Sequence, residues 1–168
     1  LFHANGHVYP FMKDRFDDLE DFRKPHTVYM ILGDGTFLDA SSLAGDDVQD
    51  PSVGRGVAFA DFDNDGDIDI LLTGGWRGGR ISRVYRNDGG DEFTEIDVGL
   101  PGVSISSVAW GDYDNDGDLD ILLTGALACG NISRVYRNNG GDVFEEIDVG
   151  LDGVWYSSVA WGDYDNDG

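Results

Sequence analysis

Aspartate residues with a fixed internal spacing recur three times in the chain. Two complete copies occupy residues 61–69 and 112–120, and a third begins at Asp163 and runs to residue 168. Successive copies start 51 residues apart, and each complete copy has aspartate at its first, third, fifth, seventh and ninth positions. Carboxylates this close repel one another unless a cation lies among them, and Ca²⁺ takes about six to eight oxygen ligands. The pattern therefore predicts a calcium site in each loop.

Position within the loop predicts how each aspartate would bind. Alternate residues of a tight turn can direct side-chain oxygens to one centre, so we expect the first, third, fifth and ninth aspartates to bind through carboxylates. The seventh would bind through its backbone carbonyl. Gly66 and Gly117 would supply the positive φ of the turn, and Asn64 and Asn115 would stabilise it from outside the coordination shell. The predicted ligands are Asp61, Asp63, Asp65, Asp67 and Asp69; Asp112, Asp114, Asp116, Asp118 and Asp120; and, completed only in a longer chain, Asp163, Asp165 and Asp167.

Other interpretations of the loops fit less well. An EF-hand also starts Asp-x-Asp-x-Asp-Gly, but it needs a glutamate at position twelve, where Leu72 and Leu123 stand, and flanking helices. A catalytic carboxylate pair needs one acid with a raised pKa, whereas carboxylates on calcium are held ionised. With no Ser-His-Asp arrangement or phosphate-binding glycine loop either, we expect no enzyme. A solvated acidic turn, or the acidic surface of a halophilic protein, stays open.

Composition limits the class of protein and its partners. The 168 residues are 40% apolar and 12% aromatic, enough for a packed core. The 33 acidic residues exceed the 11 basic ones and give a net charge of −22. This charge argues against nucleic acid or an anionic membrane as a partner, because phosphates would be repelled. Cys129 is alone, which rules out an internal disulfide, and we expect it in the core or a loop.

No apolar run is long enough for a membrane-spanning helix, and no signal peptide is recognisable. We expect a fragment whose leader lies upstream, and no direct membrane insertion.

Hydrophobic patterning predicts four short antiparallel strands in each repeat. Residues 57–60 alternate in size before the first loop, and residues 68–73 after it are apolar on both faces, which favours a strand between two layers. Four strands in about fifty residues is the size of a β-propeller blade, and the fixed period is typical of stacked repeats. The predicted strands are 57–60, 68–73, 83–86 and 92–97 in the first complete repeat and 108–111, 119–124, 134–137 and 143–148 in the second, with turns at 87–90 and 138–141.

These strands give a predicted division of the chain. Residues 1–44 would form a partial blade with an insertion at about 5–26, residues 45–54 a linker, 55–100 and 106–151 two blades, and 157–168 the start of another. Closing a ring takes about four to eight blades, so this chain cannot close alone. Trp110 and Trp161 are expected between blades, whereas Trp76 and Trp155 lie in connecting segments where exposed aromatic rings could stack on a sugar.

The segment 57–72, Val-Ala-Phe-Ala-Asp-Phe-Asp-Asn-Asp-Gly-Asp-Ile-Asp-Ile-Leu-Leu, and its copy resemble FG-GAP or VCBS repeats, the calcium-binding blades of integrin-alpha-type propellers. The N-terminal part, through residues 4–10, 32–37 and 54–57, is similar to the ASPIC and cartilage-acidic-protein group. The resemblance implies a seven-bladed, calcium-bearing β-propeller in a secreted or cell-surface protein. The motif's ligands fall on the loop aspartates, and no catalytic residue transfers.

We therefore expect an all-β propeller fragment that acts as a non-catalytic calcium-binding module of an extracellular protein. Calcium would join the first strand of each blade to the second, and the rigid blades would present loops to a protein or carbohydrate ligand in binding or adhesion. The alternative is a carbohydrate-binding or targeting propeller attached to a secreted polysaccharide-acting enzyme.

Overall fold

The structure, a computed structural model, describes residues 2–3, 27–31, 37–39, 54–76, 79–90 and 92–163. The predicted insertion at about 5–26 lies outside the described residues, as do most of the predicted linker and the third acidic loop after Asp163. The described ranges contain eleven strands and no helix, and thus no helix able to cross a membrane. The strands are β1 (Phe2–His3), β2 (Thr27–Ile31), β3 (Phe37–Asp39), β4 (Gly54–Ala60), β5 (Asp69–Trp76), β6 (Gly79–Asn87), β7 (Phe93–Ile96), β8 (Ser104–Gly111), β9 (Asp120–Ala126), β10 (Asn131–Asn138) and β11 (Phe144–Ile147).

The strands form three antiparallel sheets. β1, β2 and β3 make a three-stranded sheet, β4 to β7 a first four-stranded sheet and β8 to β11 a second, each in sequence order. The two larger sheets share one register, since Ile70 pairs with Phe59 and Tyr85 while Ile121 pairs with Trp110 and Tyr136. The all-β class and the antiparallel blades predicted from the patterning are confirmed. The division of the chain into numbered domains stays a prediction.

The strand after each acidic loop is the most deeply buried of its sheet. Leu71 and Leu72 in β5, and Ile121 and Leu123 in β9, are at most 1% exposed. Their sequences are apolar on both faces because each strand lies inside its sheet and is covered on both sides. This confirms the prediction that these strands are sandwiched.

One hydrophobic core connects the two four-stranded sheets. It joins Leu71 and Val84 of the first sheet to Val108 and Ile121 of the second, and Val103 between the sheets is fully buried within it. β8 contacts both β4 and β5, so the second sheet packs on the first through its first strand. The acidic loop that follows β4 therefore lies beside a sheet-to-sheet contact.

Candidate metal centre

Each complete acidic loop spans the gap between two paired strands. The first loop follows β4 directly and ends where β5 begins, and the second has the same place between β8 and β9. Gly66 and Gly117 have φ values of 97° and 94°, so the predicted positive φ is confirmed. Asn64 and Asn115 are also left-handed, at 61° and 59°, a conformation that asparagine adopts more readily than most residues.

The first three aspartates of each loop converge. Asp61, Asp63 and Asp65 each place one carboxylate oxygen so that the three oxygens lie within 4.8 Å of one another. In the second loop Asp112, Asp114 and Asp116 have the same arrangement. The donors are all carboxylate oxygens, which hard cations such as Ca²⁺ prefer and soft metals do not.

An unsatisfied atom in the first loop supports the fit of a cation. Oδ1 of Asp61 is buried and has no hydrogen-bond partner among the described residues. A buried carboxylate oxygen without a partner is unfavourable, and a metal ion would satisfy it. The other oxygen, Oδ2, accepts the backbone N–H of Gly66 at 3.0 Å, which fixes the orientation of the carboxylate. The first loop therefore has both the donor chemistry and an available donor.

Backbone hydrogen bonds hold the remaining carboxylates in a similar way in both loops. Oδ1 of Asp65 accepts the N–H of Asp67 at 2.8 Å, and Oδ1 of Asp116 accepts that of Asp118 at 2.9 Å. Oδ2 of Asp112 accepts the N–H of Gly117 at 3.0 Å, repeating the Asp61 contact. Backbone N–H groups of the turn thus orient clustered carboxylates in both loops.

The ninth aspartates are placed differently. Asp69 is fully buried, and its two oxygens accept the backbone N–H groups of Phe62, at 2.9 Å, and Asn87, at 2.8 Å. Asp120 makes the same two bonds to Tyr113 and Asn138, at 2.6 and 2.8 Å. Each ninth aspartate therefore joins its loop to the end of the third strand.

Burial affects the pKa of both ninth aspartates. It raises the pKa of Asp69 to about 6 and also raises the pKa of Asp120, against the effect of the backbone hydrogen bonds. Neither carboxylate belongs to the cluster of three oxygens. Because a carboxylate oxygen has more than one lone pair, these bonds leave room for a metal contact, and the ligand role of Asp69 and Asp120 stays a prediction.

The seventh aspartates direct their carboxylates towards the turn between the third and fourth strands. Oδ2 of Asp67 lies 3.2 Å from the position that a Cβ on Gly89 would occupy, and Oδ2 of Asp118 lies 3.7 Å from the corresponding position at Gly140. This orientation favours the predicted carbonyl contact over a side-chain contact. In the third loop only Asp163 is described; Asp165 and Asp167 lie outside the described residues, so that site stays a prediction.

Two arginines beside the clusters were not identified from the sequence. Nε of Arg86 lies 4.0 Å from Oδ2 of Asp63, and Nη1 of Arg137 lies 4.0 Å from Oδ2 of Asp114. Burial is the main cause of a raised pKa at Asp63, and the charge of Arg86 acts in the opposite direction. The sequence predicted strands at 83–86 and 134–137, and only the pairing of these strands in the sheets shows that the last arginine of each reaches the loop.

The connecting segment after the second blade exposes two adjacent aromatic residues. Trp155 and Tyr156 are 50% and 75% exposed, and their ring centroids lie 5.1 Å apart. Cys129 is also exposed, in the turn between β9 and β10, which fits the loop position allowed for it. The predicted sugar-binding role of Trp76 and Trp155 stays a prediction.

Two antiparallel four-stranded sheets with one register, each with an acidic loop between its first and second strands, define a repeat protein of the β-propeller-blade class. The model of the FG-GAP-like repeat matches residues 21–72 and 74–123, and the chain belongs to this family. FG-GAP repeats are β-propeller blades and typically bind calcium. The family predicted from the acidic motif is confirmed.

The chain is also similar to cartilage acidic protein 1 from three vertebrates. The identity is 36% over 137 residues for the human protein, 35% over 136 for that of Xenopus tropicalis and 34% over 137 for that of Mus musculus. Each alignment covers 75% of this chain and 20% of the relative. The similarity to the cartilage-acidic-protein group is confirmed, and the matched part spans about a fifth of the length of these relatives.

Proposed function

We propose that the chain is a calcium-binding repeat module of an extracellular or cell-surface protein and acts as a non-catalytic scaffold for binding or adhesion. The observation that carries this proposal is the convergence of three carboxylates in two loops with the same aspartate spacing, with Oδ1 of Asp61 in the first loop buried and unpartnered among the described residues. A structural role alone would not require three anionic groups to face one another twice at the same point of the repeat.

Calcium in this site would join two strands. The clustered carboxylates follow β4 and β8, whereas Asp69 and Asp120 start β5 and β9. An ion held by the clustered carboxylates, with contributions from the seventh and ninth positions, would neutralise the local charge and bind the first strand of each blade to the second. The residues that would hold it are the ten aspartates of the two complete loops.

Relatives and charge support the location and the partners in this proposal. The relatives are named as acidic proteins of cartilage, which favours an extracellular setting. Extracellular calcium modules bind with dissociation constants of roughly 10⁻⁴ to 10⁻³ M, so exposed loops of this kind suit that setting. The net charge of −22 disfavours nucleic acid, and a protein or carbohydrate is the ligand in this proposal.

Calcium titration calorimetry on the chain tests the proposal. We expect saturable binding near two ions per chain, abolished when Asp65→Ala and Asp116→Ala are combined. A matched control is Asp97→Ala with Asp148→Ala, which removes two equivalent acids of the two repeats outside the loops and should leave binding unchanged. Heat that is absent, or unaltered by the loop substitutions, would overturn the proposal.

Carbohydrate binding, as in a targeting propeller attached to a polysaccharide-acting enzyme, is a second candidate function. The exposed pair Trp155 and Tyr156 favours it, because an open aromatic ring can stack on a sugar face. Co-sedimentation with insoluble polysaccharides should then decrease on Trp155→Ala and not on Val143→Ala, an exposed apolar residue outside the pair. Equal retention of both variants would exclude this candidate.

A further inference from the structure

The first acidic loop contacts the second sheet through an aromatic residue. Phe62, the second residue of the loop, is 2% exposed. Trp110 of β8 lies flat against it, with ring centroids 5.5 Å apart and an interplanar angle of 1°. Phe144 of β11 packs on both rings, at 6.1 Å from Phe62 and 6.3 Å from Trp110. The loop backbone between Asp61 and Asp63 is therefore fixed by the neighbouring sheet.

Arg86 forms a second link between the same loop and the same sheet. Its Nε lies 2.8 Å from Asp88 Oδ1 and 4.0 Å from Asp63 Oδ2, and its Nη1 lies 3.0 Å from Oδ2 of Asp142. Asp142 belongs to the turn between β10 and β11 and has a φ of 64°. One guanidinium thus contacts a predicted calcium ligand and an acid of the next sheet.

We propose that the first acidic loop and the second sheet are energetically coupled through Arg86, so that docking of the second sheet strengthens calcium binding to Asp61, Asp63 and Asp65. This inference rests on the proposed calcium binding. Asp88 and Asp142 hold the guanidinium at 2.8 and 3.0 Å and leave Asp63 at 4.0 Å, so Asp63 remains available to the ion. Without Asp142 the guanidinium keeps only Asp88 as a close partner, so more of its charge acts on Asp63, where it competes with the cation.

Coupling between two equilibria is reciprocal, so calcium in the first loop should also strengthen the contact between the sheets. The second loop provides an internal comparison. Arg137 pairs with Glu145 of its own sheet at 2.8 Å, and so has a different partner from Arg86.

The test is a double-mutant cycle on calcium affinity. In an Asp116→Ala background, calorimetry measures calcium binding to the first loop alone. The calcium affinity is compared for Asp142→Asn, Arg86→Gln and their combination. Glu146→Gln is the matched control, because it also removes one negative charge and one ion pair, with Arg134, from the second sheet. Circular dichroism checks that each variant is folded.

We expect Asp142→Asn to weaken binding about two- to five-fold, the range that partly exposed ion pairs produce. Glu146→Gln should change affinity less, and Asp142→Asn should have no further effect once Arg86 is glutamine. Equal effects of the two single acid substitutions, or an effect of Asp142→Asn that persists without Arg86, would overturn the coupling while the calcium site stands. A background protein that binds no calcium, although folded, would overturn the proposed function and the coupling with it.

Discussion

The hydroxyl of Thr73 in the first four-stranded sheet lies 2.9 Å from the hydroxyl of Ser106 in the second, and both residues are buried. The contact recurs 51 residues later, where Thr124 and Ser157 lie 2.8 Å apart. A buried hydroxyl needs a partner, so each pair fixes the position of one repeat against the next as well as contributing a hydrogen bond.

Thr73→Val tests this relationship. Valine has nearly the same shape but leaves the hydroxyl of Ser106 without this partner, so we expect a loss of about 1–3 kcal/mol in the free energy of unfolding, measured by urea denaturation. Adding Ser106→Ala should recover part of that loss, because both polar groups are then gone. Strictly additive losses would show that the two hydroxyls are not coupled.

Phe62→Ala should remove the aromatic contact between the first loop and the second sheet. Because Phe62 is 2% exposed, we expect a loss of about 3–5 kcal/mol in the free energy of unfolding. Tyr113 is the equivalent residue of the second loop and is 43% exposed, so Tyr113→Ala should cost clearly less. Comparable losses in the two variants would contradict the burial argument.

Gly111→Ala should disturb the packing of Trp161. A Cβ at this position would lie 2.4 Å from Cδ1 of Trp161, whose ring packs on Tyr113 with centroids 6.2 Å apart. We expect the indole to move, a red shift in its fluorescence, and a loss of about 1–3 kcal/mol in stability. A Trp161→Phe background identifies which emission belongs to this ring.

The equivalent position of the first repeat is Ala60, which offers a matched control. Trp110 is the tryptophan that corresponds to Trp161, and its indole lies on Phe62. Nε1 of Trp110 has no hydrogen-bond partner among the described residues. Nε1 of Trp161, in contrast, lies 3.4 Å from the carbonyl oxygen of Ala109. Ala60→Gly should therefore leave the Trp110 emission nearly unchanged. A Gly111→Ala protein with unaltered Trp161 emission would argue against the steric explanation.

Stability should fall in alkaline solution because of Tyr136. Burial raises the pKa of its phenol above the ordinary value of 10.0. Above pH 10 the unfolded chain loses this proton while the folded chain retains it, so the free energy of unfolding decreases as the pH rises from 10 towards the folded-state pKa. Urea denaturation across that range should show a shallower decrease in Tyr136→Phe. An identical slope in the two proteins would rule out this origin.

Removing calcium should lower the melting temperature. A ligand that binds only the folded state stabilises it by about 2.7 kcal/mol per site at a free concentration of one hundred times Kd. A chelator should therefore lower the Tm of the native chain and leave unchanged the Tm of the variant that combines Asp65→Ala with Asp116→Ala. A native chain with the same Tm in the presence and absence of calcium would count against a structural role for the ion.

Local patterning predicted the elements of the fold well. The apolar segments 68–73 and 119–124 lie largely in β5 and β9, the most buried strands, because a strand covered on both sides needs apolar residues on both faces. Within the loops, the spacing predicted the convergence of the first three aspartates, since a tight turn over few residues leaves little freedom.

The burial of the ninth aspartate could not be predicted from the sequence. In the sequence Asp69 is one of five alternating aspartates, yet in the structure it is buried and bonded to Asn87, eighteen residues away. Asp69 is buried because the end of β6 lies beside it, and β6 reaches this position through its pairing with β5. Such a contact between distant residues cannot be predicted from the spacing of the aspartates.

The repeat, its strands and the acidic turns could be predicted from the sequence, because propensity, alternation and spacing act over neighbouring residues. The partners between repeats, such as Trp110 on Phe62 and Asp142 on Arg86, are known only from the structure. These pairs are 48 and 56 residues apart, and their distances follow from how two sheets pack, a property that no local pattern encodes.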